Sequence, residues 1–195
     1  MFETLYKKAK RLIILNDIFR YVAIALCAYI LLLPYIPAIS YKLHKDAPVQ
    51  AQVPSEITEA LKNGIDYLSV PSVGISQVIV EAKSIKEVHE RVWRRPNTST
   101  PDKGSNTVLV AHRYATIGGN RSSTFYELPS LVVGEKVYVA WKGKLYTYQV
   151  MSEEVVLPSE IRVENPTEDS ELTLYTCTPL WTATHRFVVH ARLVE

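Results

Sequence analysis

The pattern of apolar and polar residues divides the chain into two regions of different character. Residues 21–39, which read YVAIALCAYILLLPYIPAI, form a run of 19 residues without a charged side chain. A helix of roughly 20 apolar residues is long enough to cross a lipid bilayer. Beyond residue 64 the pattern changes to short segments rich in valine and isoleucine, separated by proline, glycine and polar residues. This second pattern is typical of β-strands.

These regions predict four segments along the chain. They are a basic N-terminal segment at residues 1–20, a transmembrane anchor at 21–39, a linker with a short helix at 40–64, and a β-rich domain at 65–195. In the linker, Ser55 is predicted to cap a helix that runs through Lys62 and ends at Gly64.

The β-rich domain contains seven clear strand candidates. They are Tyr67–Val70, Ile75–Glu81, Thr107–His112, Lys136–Trp141, Lys144–Met151, Leu172–Thr176 and Phe187–Leu193. Lys142–Gly143, between two of them, is typical of a tight hairpin turn. Short helices are predicted at residues 84–92 and 124–131, and a loop at residues 94–106. About eight short strands in roughly 130 residues favour an all-β fold, built as a closed or nearly closed β-barrel.

Charge is concentrated at the N-terminal end of the chain. The 195 residues have a net charge of +2, and the first 20 residues carry five Lys and Arg against two acidic residues. The other 175 residues therefore have a net charge of −1. A nucleic-acid-binding domain normally carries its positive surplus in the folded part. The charge pattern argues against DNA or RNA as a partner.

The same basic cluster predicts the orientation of the membrane anchor. Lys and Arg that flank a membrane helix stay in the cytoplasm. We therefore expect a single-pass protein of the cell membrane, with a cytoplasmic N-terminus and the β-rich domain outside. The alternative is a cleaved signal peptide, but the run at 21–39 is longer than a usual signal-peptide core and no small-residue cleavage site follows it.

Cys177 is the only cysteine outside the predicted membrane helix, in which Cys27 lies. A lone thiol on the outer side of a membrane has no partner for a structural disulfide. Two cysteines are also too few for a cysteine-rich structural zinc site. Taken alone, a cysteine beside an apolar strand is most often a buried packing residue.

His112 and Arg186 change the interpretation of Cys177. His112 follows the apolar run TVLVA, and Arg186 lies nine residues after Cys177. A cysteine nucleophile needs a base or a positive partner to form its thiolate, and a donor for the oxyanion that forms when it attacks a carbonyl. A histidine and an arginine supply these functions. Strand ends on one rim of a barrel are a plausible way to bring the three residues together.

The segments around these residues resemble the sortase family. LTLYTCTP followed by HRF fits the signature Thr-Leu-x-Thr-Cys with a later arginine, and NTVLVAHR resembles the family's histidine motif. Phe125, Leu128, Leu131 and Gly134 match a further spaced segment of the family. The resemblance covers roughly residues 65–195, and an N-terminal membrane anchor is also the usual family layout.

The resemblance implies an eight-stranded barrel and a cysteine transpeptidase. By position, Cys177 is similar to the family's nucleophile, His112 to its catalytic histidine and Arg186 to its arginine. Such enzymes cut a secreted protein at a C-terminal sorting signal resembling Leu-Pro-x-Thr-Gly and hold it as a thioester. They then pass it to an amine of a cell-wall precursor or of a pilin lysine.

Within the family, the stretch CTPLWTATHRF and the ending VHARL are similar to the general anchoring classes D and E. No Asp-Pro-aromatic lid of the pilus-polymerising kind precedes the domain in this sequence. Residues near the motifs are predicted to contact substrate. These are Thr176, Thr178, Trp181 and His185.

The expected mechanism needs no metal and no other cofactor. Some family members bind calcium, but this sequence shows no compelling carboxylate cluster in the expected loops. The acidic residues there are predicted to be solvated. They are Glu153, Glu154, Glu160 and Glu164.

Two other functions fit parts of the pattern. A cysteine transpeptidase of the L,D-acting kind also uses Cys, His and Arg, but its nucleophile sits in a His-Gly-Cys-Arg-like stretch, unlike the Thr-Cys-Thr-Pro around Cys177. A non-catalytic, membrane-tethered β-barrel binding module is the second alternative. It predicts that Cys177 is buried and unreactive.

Overall fold

A computed structural model of the chain describes residues 2–32, 53–84, 88, 91–114 and 124–195. The chain divides into two compact units, Met1–Asp46 and Ala47–Glu195. The described part of the first unit is a long helix. The second unit contains a β-barrel with the residues that the sequence predicts as catalytic.

The helix of the first unit, α1, spans Phe2–Leu32. Within it, the 22 residues Lys10–Leu31 are long and apolar enough, by length and composition, to cross a membrane. This candidate span begins earlier than the predicted anchor at residues 21–39, of which residues 33–39 lie outside the described part. The basic residues near the N-terminus therefore belong to the same continuous helix, and the position of the membrane boundary along it stays a prediction.

A second helix, α2, precedes the barrel and spans Ser55–Asn63. Gly64 ends it, as predicted, in the left-handed conformation (φ 64°), which glycine adopts without steric cost. The prediction that Ser55 caps the helix is wrong. Pro54 occupies the N-cap position, and the Ser55 hydroxyl donates to the neighbouring carboxylate of Glu56.

Eight strands close into a barrel, which confirms the predicted all-β fold. The strands are β1 Tyr67–Val70, β2 Ile75–Val80, β3 Val92–Arg94, β4 Asn106–Val110, β5 Lys136–Trp141, β6 Lys144–Val156, β7 Glu171–Thr178 and β8 His185–Leu193. Around the barrel their order is β1-β2-β3-β4-β7-β8-β6-β5. The pairs β2–β3 and β4–β7 are parallel, and the other six pairs are antiparallel.

The structure contains the seven predicted strands and one that the sequence analysis missed. The missed strand, β3, has only three residues and lies where the end of a helix and the start of a loop were predicted. Most of the helix predicted at residues 84–92 falls on 85–87 and 89–90, outside the described part. The helix predicted at 124–131 is a turn followed by one short 3-10 helix, Leu128–Ser130.

The barrel interior is filled by apolar side chains from all eight strands. Along β7, Leu172 and Leu174 belong to this core. Successive side chains of a strand point to opposite faces, so Thr173, Tyr175 and Cys177 lie on the outer face. Tyr175 accordingly belongs to a second apolar cluster outside the barrel.

This second cluster lies under the segment that connects β6 to β7. Val163 of the connection packs with Trp93, Val110, Tyr175 and Val188 on the outside of the barrel. We call residues 157–170, which form this connection, the wall. The wall contains a short 3-10 helix, Ile161–Glu164. We call the outer face of β4, β7 and β8 the floor.

Candidate active site

Two strand pairings bring the three predicted catalytic residues together on the floor. In the parallel pair β4–β7, Val110 lies opposite Tyr175, so two more residues along each chain place His112 beside Cys177. In the antiparallel pair β7–β8, Cys177 lies directly opposite Arg186. Residues directly opposite each other in a sheet have Cβ atoms about 4.5–5.5 Å apart. The sheet register itself therefore sets the Cβ atoms of Cys177 and Arg186 side by side.

A cavity of about 250 Å³ lies between the floor and the wall, and His112, Cys177 and Arg186 all line it. The wall contributes Leu157, Pro158, Glu160, Ile161, Val163 and Glu164 to the lining. One side of the cavity thus carries the thiol, the imidazole and the guanidinium. The opposite side offers apolar surface and two carboxylates.

Cys177 and Arg186 lie inside paired strands, whereas His112 lies two residues beyond the end of β4. Cys177 is the second-to-last residue of β7 and Arg186 the second residue of β8, so both lie at strand ends as predicted, and His112 lies just beyond its strand. Cys177 is partly buried, and its thiol is free, as is that of Cys27 in α1. A partly exposed free thiol in a cavity differs from the buried packing cysteine that the binding-module alternative requires.

Hydrogen bonds on both sides of His112 hold the end of β4 against β7. One residue before it, the carbonyl of Ala111 accepts from the hydroxyl of Thr176 at 2.9 Å. One residue after it, Nη1 of Arg113 donates to the hydroxyl of Thr178 at 2.8 Å. The partners of these two bonds, Thr176 and Thr178, also flank Cys177. Side-chain bonds therefore continue the contact between the two segments beyond the last β4–β7 ladder pair.

The side chain of Arg186 is held by the connection between β7 and β8. Its Nη1 donates to the carbonyl oxygens of Ala183 at 3.3 Å and of His185 at 3.1 Å. A guanidinium carries five N–H donors in a rigid fork. Arg186 can therefore bind a ligand in the cavity while its neighbours fix its orientation.

Glu164 attaches the wall to the rest of the barrel. Its carboxylate accepts from Nε of Arg95 at 3.0 and 2.9 Å, and from the hydroxyl of Tyr175 at 2.7 Å. The guanidinium of Arg95 also lies 5.2 Å from the centre of the Trp93 ring, which adds a cation–π contact. One carboxylate thus joins the wall to the floor and to the segment that follows β3.

Asn106, the buried first residue of β4, provides a second attachment. Its side-chain amide donates to the carbonyls of Val163 and Asn165 in the wall, both at 3.0 Å. Its side-chain oxygen accepts from the hydroxyl of Thr173 at 2.8 Å. Buried polar groups require such partners, and here the partners are on the wall and the floor.

The electrostatic environment keeps the Glu164 contacts intact at neutral pH. Burial and the hydrogen bond to Glu164 raise the pKa of Tyr175, so its hydroxyl remains a donor. Burial opposes the charge of Arg95, but the hydrogen bond to Glu164 raises the pKa of this guanidinium above its usual value. The result is a charged pair supplemented by a neutral donor.

The prediction that four glutamates near the site are solvated is wrong for two of them. Glu164 is only 19% exposed at its side chain and bonds to the barrel. Glu154 pairs with Arg162 at 2.6 Å and contacts His190 at 3.1 Å, and the bond from Arg162 lowers the pKa of Glu154. Their partners are not adjacent in the sequence, so the local pattern gave no signal of these contacts.

The two threonines predicted to contact substrate have hydroxyls already engaged within the protein, as described above. Thr176 is buried and lines the cavity, whereas Thr178 lies outside the cavity lining. Their side chains join strands in this structure, and substrate contact by either residue stays a prediction.

The other two predicted substrate residues lie beside the cavity, not in its lining. The side chain of Trp181 is 61% exposed, and its ring meets that of Tyr114 edge-on with 4.9 Å between ring centres. Nδ1 of His185 lies 3.0 Å from the hydroxyl of Thr184. Both lie at the β7–β8 connection, and substrate contact by either residue stays a prediction.

Metal binding has no visible site in the described ranges. Among residues 2–32, 53–84, 88, 91–114 and 124–195, no group of three or more His, Cys, Asp and Glu side chains is placed to hold a metal ion. The carboxylate of Glu164 has guanidinium and hydroxyl donors around it instead. The expectation that calcium is not required stays a prediction.

A free thiol, an imidazole and a guanidinium that share one cavity on a closed barrel define a candidate cysteine enzyme. Residues 68–194 match the model of the sortase domain family. Because this match covers more than half of the chain, the chain belongs to the sortase family. The resemblance seen in the sequence motifs is thereby confirmed.

Individual relatives agree with this family. Sortase A of Streptococcus agalactiae serotype III (strain NEM316) is 30% identical over 130 residues, which cover 66% of this chain and 52% of that protein. The crystal structure of sortase E1 from Streptomyces coelicolor with a tripeptide in the active site is 26% identical, with a TM-score of 0.60, and the match covers 68% of this chain and 88% of that one.

A third comparison shows the fold alone. The lid mutant of sortase A from Corynebacterium diphtheriae has a TM-score of 0.61 and 22% identity, over 76% of this chain and 74% of that one. The chain spans only a little over half the length of the first curated relatives that it matches. Family membership therefore rests on the barrel domain.

Proposed function

We propose that this protein is a membrane-anchored cysteine transpeptidase. It cleaves a secreted protein at a C-terminal sorting signal resembling Leu-Pro-x-Thr-Gly and transfers it to an amine. The observation that carries this proposal is the single cavity lined by His112, Cys177 and Arg186, with Cys177 and Arg186 in direct register. Membership of the sortase family supports it.

The first half-reaction forms an acyl-enzyme. The thiolate of Cys177 attacks the carbonyl carbon of the Thr–Gly bond, so an S–C bond forms and the C–N bond breaks. The imidazolium of His112 gives its proton to the departing amine. The carbonyl of the threonine is then held as a thioester.

The second half-reaction releases the product. The acceptor amine attacks the thioester carbon, a new C–N bond forms, and the S–C bond breaks. The amine loses its proton to His112, and the thiolate of Cys177 is restored. Neither half-reaction needs a redox partner, and a thioester reacts readily with amines, which suits transfer over hydrolysis.

The oxyanion that forms in each half-reaction needs hydrogen-bond donors. We assign this function to the guanidinium of Arg186 and the main-chain N–H of Thr178. The position of Arg186 opposite Cys177 supports this assignment. The apolar side chains of Leu157 and Ile161, across the cavity, suit the apolar part of the sorting signal.

The stretch CTPLWTATHRF and the ending VHARL support an anchoring class. We propose an anchoring role of the class D or E kind, with a cell-wall precursor as the preferred acceptor over a pilin lysine. In intact cells or spheroplasts, added protease should digest the barrel domain and leave the cytoplasmic end protected. Protection of the barrel would contradict the proposed extracytoplasmic location.

The two alternatives have less support. The sortase-domain match over residues 68–194 favours sortase chemistry over that of an L,D-transpeptidase. The binding module predicts an inert thiol, whereas Cys177 is free and lines a cavity with an imidazole and a guanidinium. A single measurement of thiol alkylation separates a reactive from an inert Cys177.

The decisive experiment incubates the full-length protein in detergent with a library of sorting peptides and an amine acceptor. Mass spectrometry should detect a thioester on Cys177 and a transfer product. Cys177→Ala should abolish both, by several orders of magnitude, because the covalent route is lost. Cys27→Ala, in α1, is the matched control and should leave turnover unchanged. Transfer by Cys177→Ala would end the proposal.

A further inference from the structure

Arg113 connects three segments next to the candidate active site. It follows His112 directly and is partly buried. Its Nη1 donates to the hydroxyl of Thr178 at 2.8 Å, and its Nε donates to the carbonyl of Tyr126 at 3.4 Å. Arg113 thus links the segment after β4 to the end of β7 and to the turn before residues 128–130.

The bond between Arg113 and Thr178 completes a symmetrical arrangement. The bond from Thr176 to Ala111 lies one residue before His112 and Cys177, and the bond from Arg113 to Thr178 lies one residue after them. The β4–β7 ladder ends at Val110, so it does not fix the backbone at His112. The N–H of Phe125 donates to the carbonyl of His112 at 3.0 Å, and beyond His112 the bond from Arg113 joins this segment to β7.

The positive charge of Arg113 is not neutralised by a carboxylate among the described residues. In the part of the chain that the structure describes, no carboxylate forms an ion pair with this guanidinium. Burial lowers the pKa of Arg113, while the negative forms of Tyr126, Glu127 and Cys177 act in the opposite direction. An arginine remains charged in proteins regardless. The guanidinium bonds to the residue next to Cys177, and a positive charge near a cysteine favours the thiolate form.

Arg113 and Arg186 lie at different positions relative to the cavity. Arg186 lines the cavity, where it can touch the reacting groups, whereas Arg113 does not belong to the lining. Arg113 reaches the site through Thr178 and through its electric field. The charged and titratable groups that do share the cavity with Cys177 are His112, Arg186, Tyr175, Arg95, Glu160 and Glu164.

We propose that Arg113 is a positioning residue for the transpeptidase reaction. Through Thr178 it sets the backbone of Cys177 against that of His112, and its charge beside the thiol favours the thiolate. This inference rests on the proposed function for its effect on turnover. Its effect on the thiol does not depend on any peptide substrate.

The test uses the full-length protein with Cys27→Ala, so that Cys177 is the only thiol. Two quantities are measured, the kinetics of peptide transfer and the rate of alkylation by iodoacetamide as a function of pH. Arg113→Gln removes both the charge and the bond, and Thr178→Val removes the bond but keeps the charge. Arg192→Gln is the matched control, since Arg192 is exposed on β8 and its Nε lies 3.9 Å from the carboxylate of Asp169.

Arg113→Gln should lower kcat by roughly tenfold to a hundredfold, with little change in KM, because misplacement of reacting groups acts on the chemical step. The alkylation midpoint, which is the pH at which the alkylation rate is half-maximal, should rise by about one pH unit in this variant, as expected when a nearby positive charge is lost.

Thr178→Val should lower kcat without moving the alkylation midpoint. Thr178→Ser, which keeps an accepting hydroxyl, should turn over faster than Thr178→Val. Arg113→Lys should keep the midpoint but recover only part of kcat.

The double variant, with both Arg113→Gln and Thr178→Val, should be no slower than Arg113→Gln alone, because both changes break the same bond. If the losses of kcat in the two single variants add in full in the double variant, the proposal is overturned. It is also overturned by an Arg113→Gln protein with unchanged kcat and midpoint, or by one whose whole loss is explained by unfolding. If the parent protein transfers no peptide but its alkylation midpoint still depends on Arg113, the proposed function fails and the positioning of the thiol stands.

Discussion

The floor and the wall of the cavity are built by different means. On the floor, backbone pairing places Cys177 opposite Arg186, and the β4–β7 register brings His112 alongside. The wall has no ladder to the floor, and side-chain bonds of Glu164 and Asn106 attach it. The difference teaches that Cys177 and Arg186 share the stability of the sheet, whereas the opposite side of the cavity depends on a few polar contacts and on the packing of Val163. We therefore expect floor changes to act on kcat and wall changes on KM.

The strongest test of this division is His112→Ala on the floor. Loss of the proposed general acid should lower kcat by on the order of 10²–10⁴. The barrel should lose less than about 0.5 kcal/mol of stability, because His112 lies beyond the ladder and outside the core. Steady-state kinetics and thermal unfolding check the two expectations. If unfolding explains the whole loss of activity, His112 is structural and the floor assignment is wrong.

A second floor variant, Arg186→Lys, separates charge from geometry. An ammonium is a compact point charge and does not reproduce the planar fork of a guanidinium. Transfer should be at least about tenfold slower, since loss of one oxyanion donor typically costs about 10²–10³ in turnover. Alkylation of Cys177 should stay near the wild-type rate, because a positive charge remains close to the thiol. Normal transfer would show that only charge matters at this position.

Glu164→Gln tests the wall. The variant leaves Arg95 without its carboxylate and should destabilise the protein by roughly 1–3 kcal/mol. KM for a sorting peptide should rise about fivefold, equivalent to about 1 kcal/mol of binding. Glu168→Gln, at an exposed position of the wall, is the matched control and should change neither value. A fall in kcat at constant KM would contradict the division between floor and wall.

The smallest predicted effect is a pH dependence of the stability that the contacts of the wall contribute. The raised pKa of Tyr175 means that the folded state holds this proton more tightly than the unfolded state does. The resulting stability is complete below the usual tyrosine pKa of about 10 and is lost as the pH rises above it. In Tyr175→Phe the fall in stability between about pH 9 and 11 should be shallower. Tyr29→Phe, exposed in α1, serves as control, and equal slopes in both variants would contradict this origin.

Sequence analysis predicted the floor better than the wall. The motifs around His112, Cys177 and Arg186 are continuous in sequence, and apolar runs mark the strands that carry or precede these residues. The turn at Lys142–Gly143 was predictable for the same reason. Both residues have positive φ, of 48° and 75°, which is the geometry of a tight two-residue hairpin turn.

The wall contacts were not predictable from local pattern. Glu164 bonds to Arg95, 69 positions earlier, so its burial follows only from the closed barrel. The short strand β3 was missed because three residues carry no periodic signal. Its strand character comes from its neighbours, β2 and β4, and from Trp93, whose indole N–H donates to the carbonyl of Ala82 at 2.9 Å.

The hydrogen bonds beside His112 and Cys177 join residues far apart in the sequence, which has a consequence for folding. Both bonds, from Thr176 to Ala111 and from Arg113 to Thr178, join residues that are 65 positions apart. Contacts of such separation form late, because the entropy of closing a long loop must be overcome first. Before the barrel closes, Cys177 therefore has neither His112 nor Arg186 beside it. If Cys177 is the proposed nucleophile, it becomes reactive only when the barrel has closed, and the order of folding protects the unfinished chain from premature acylation.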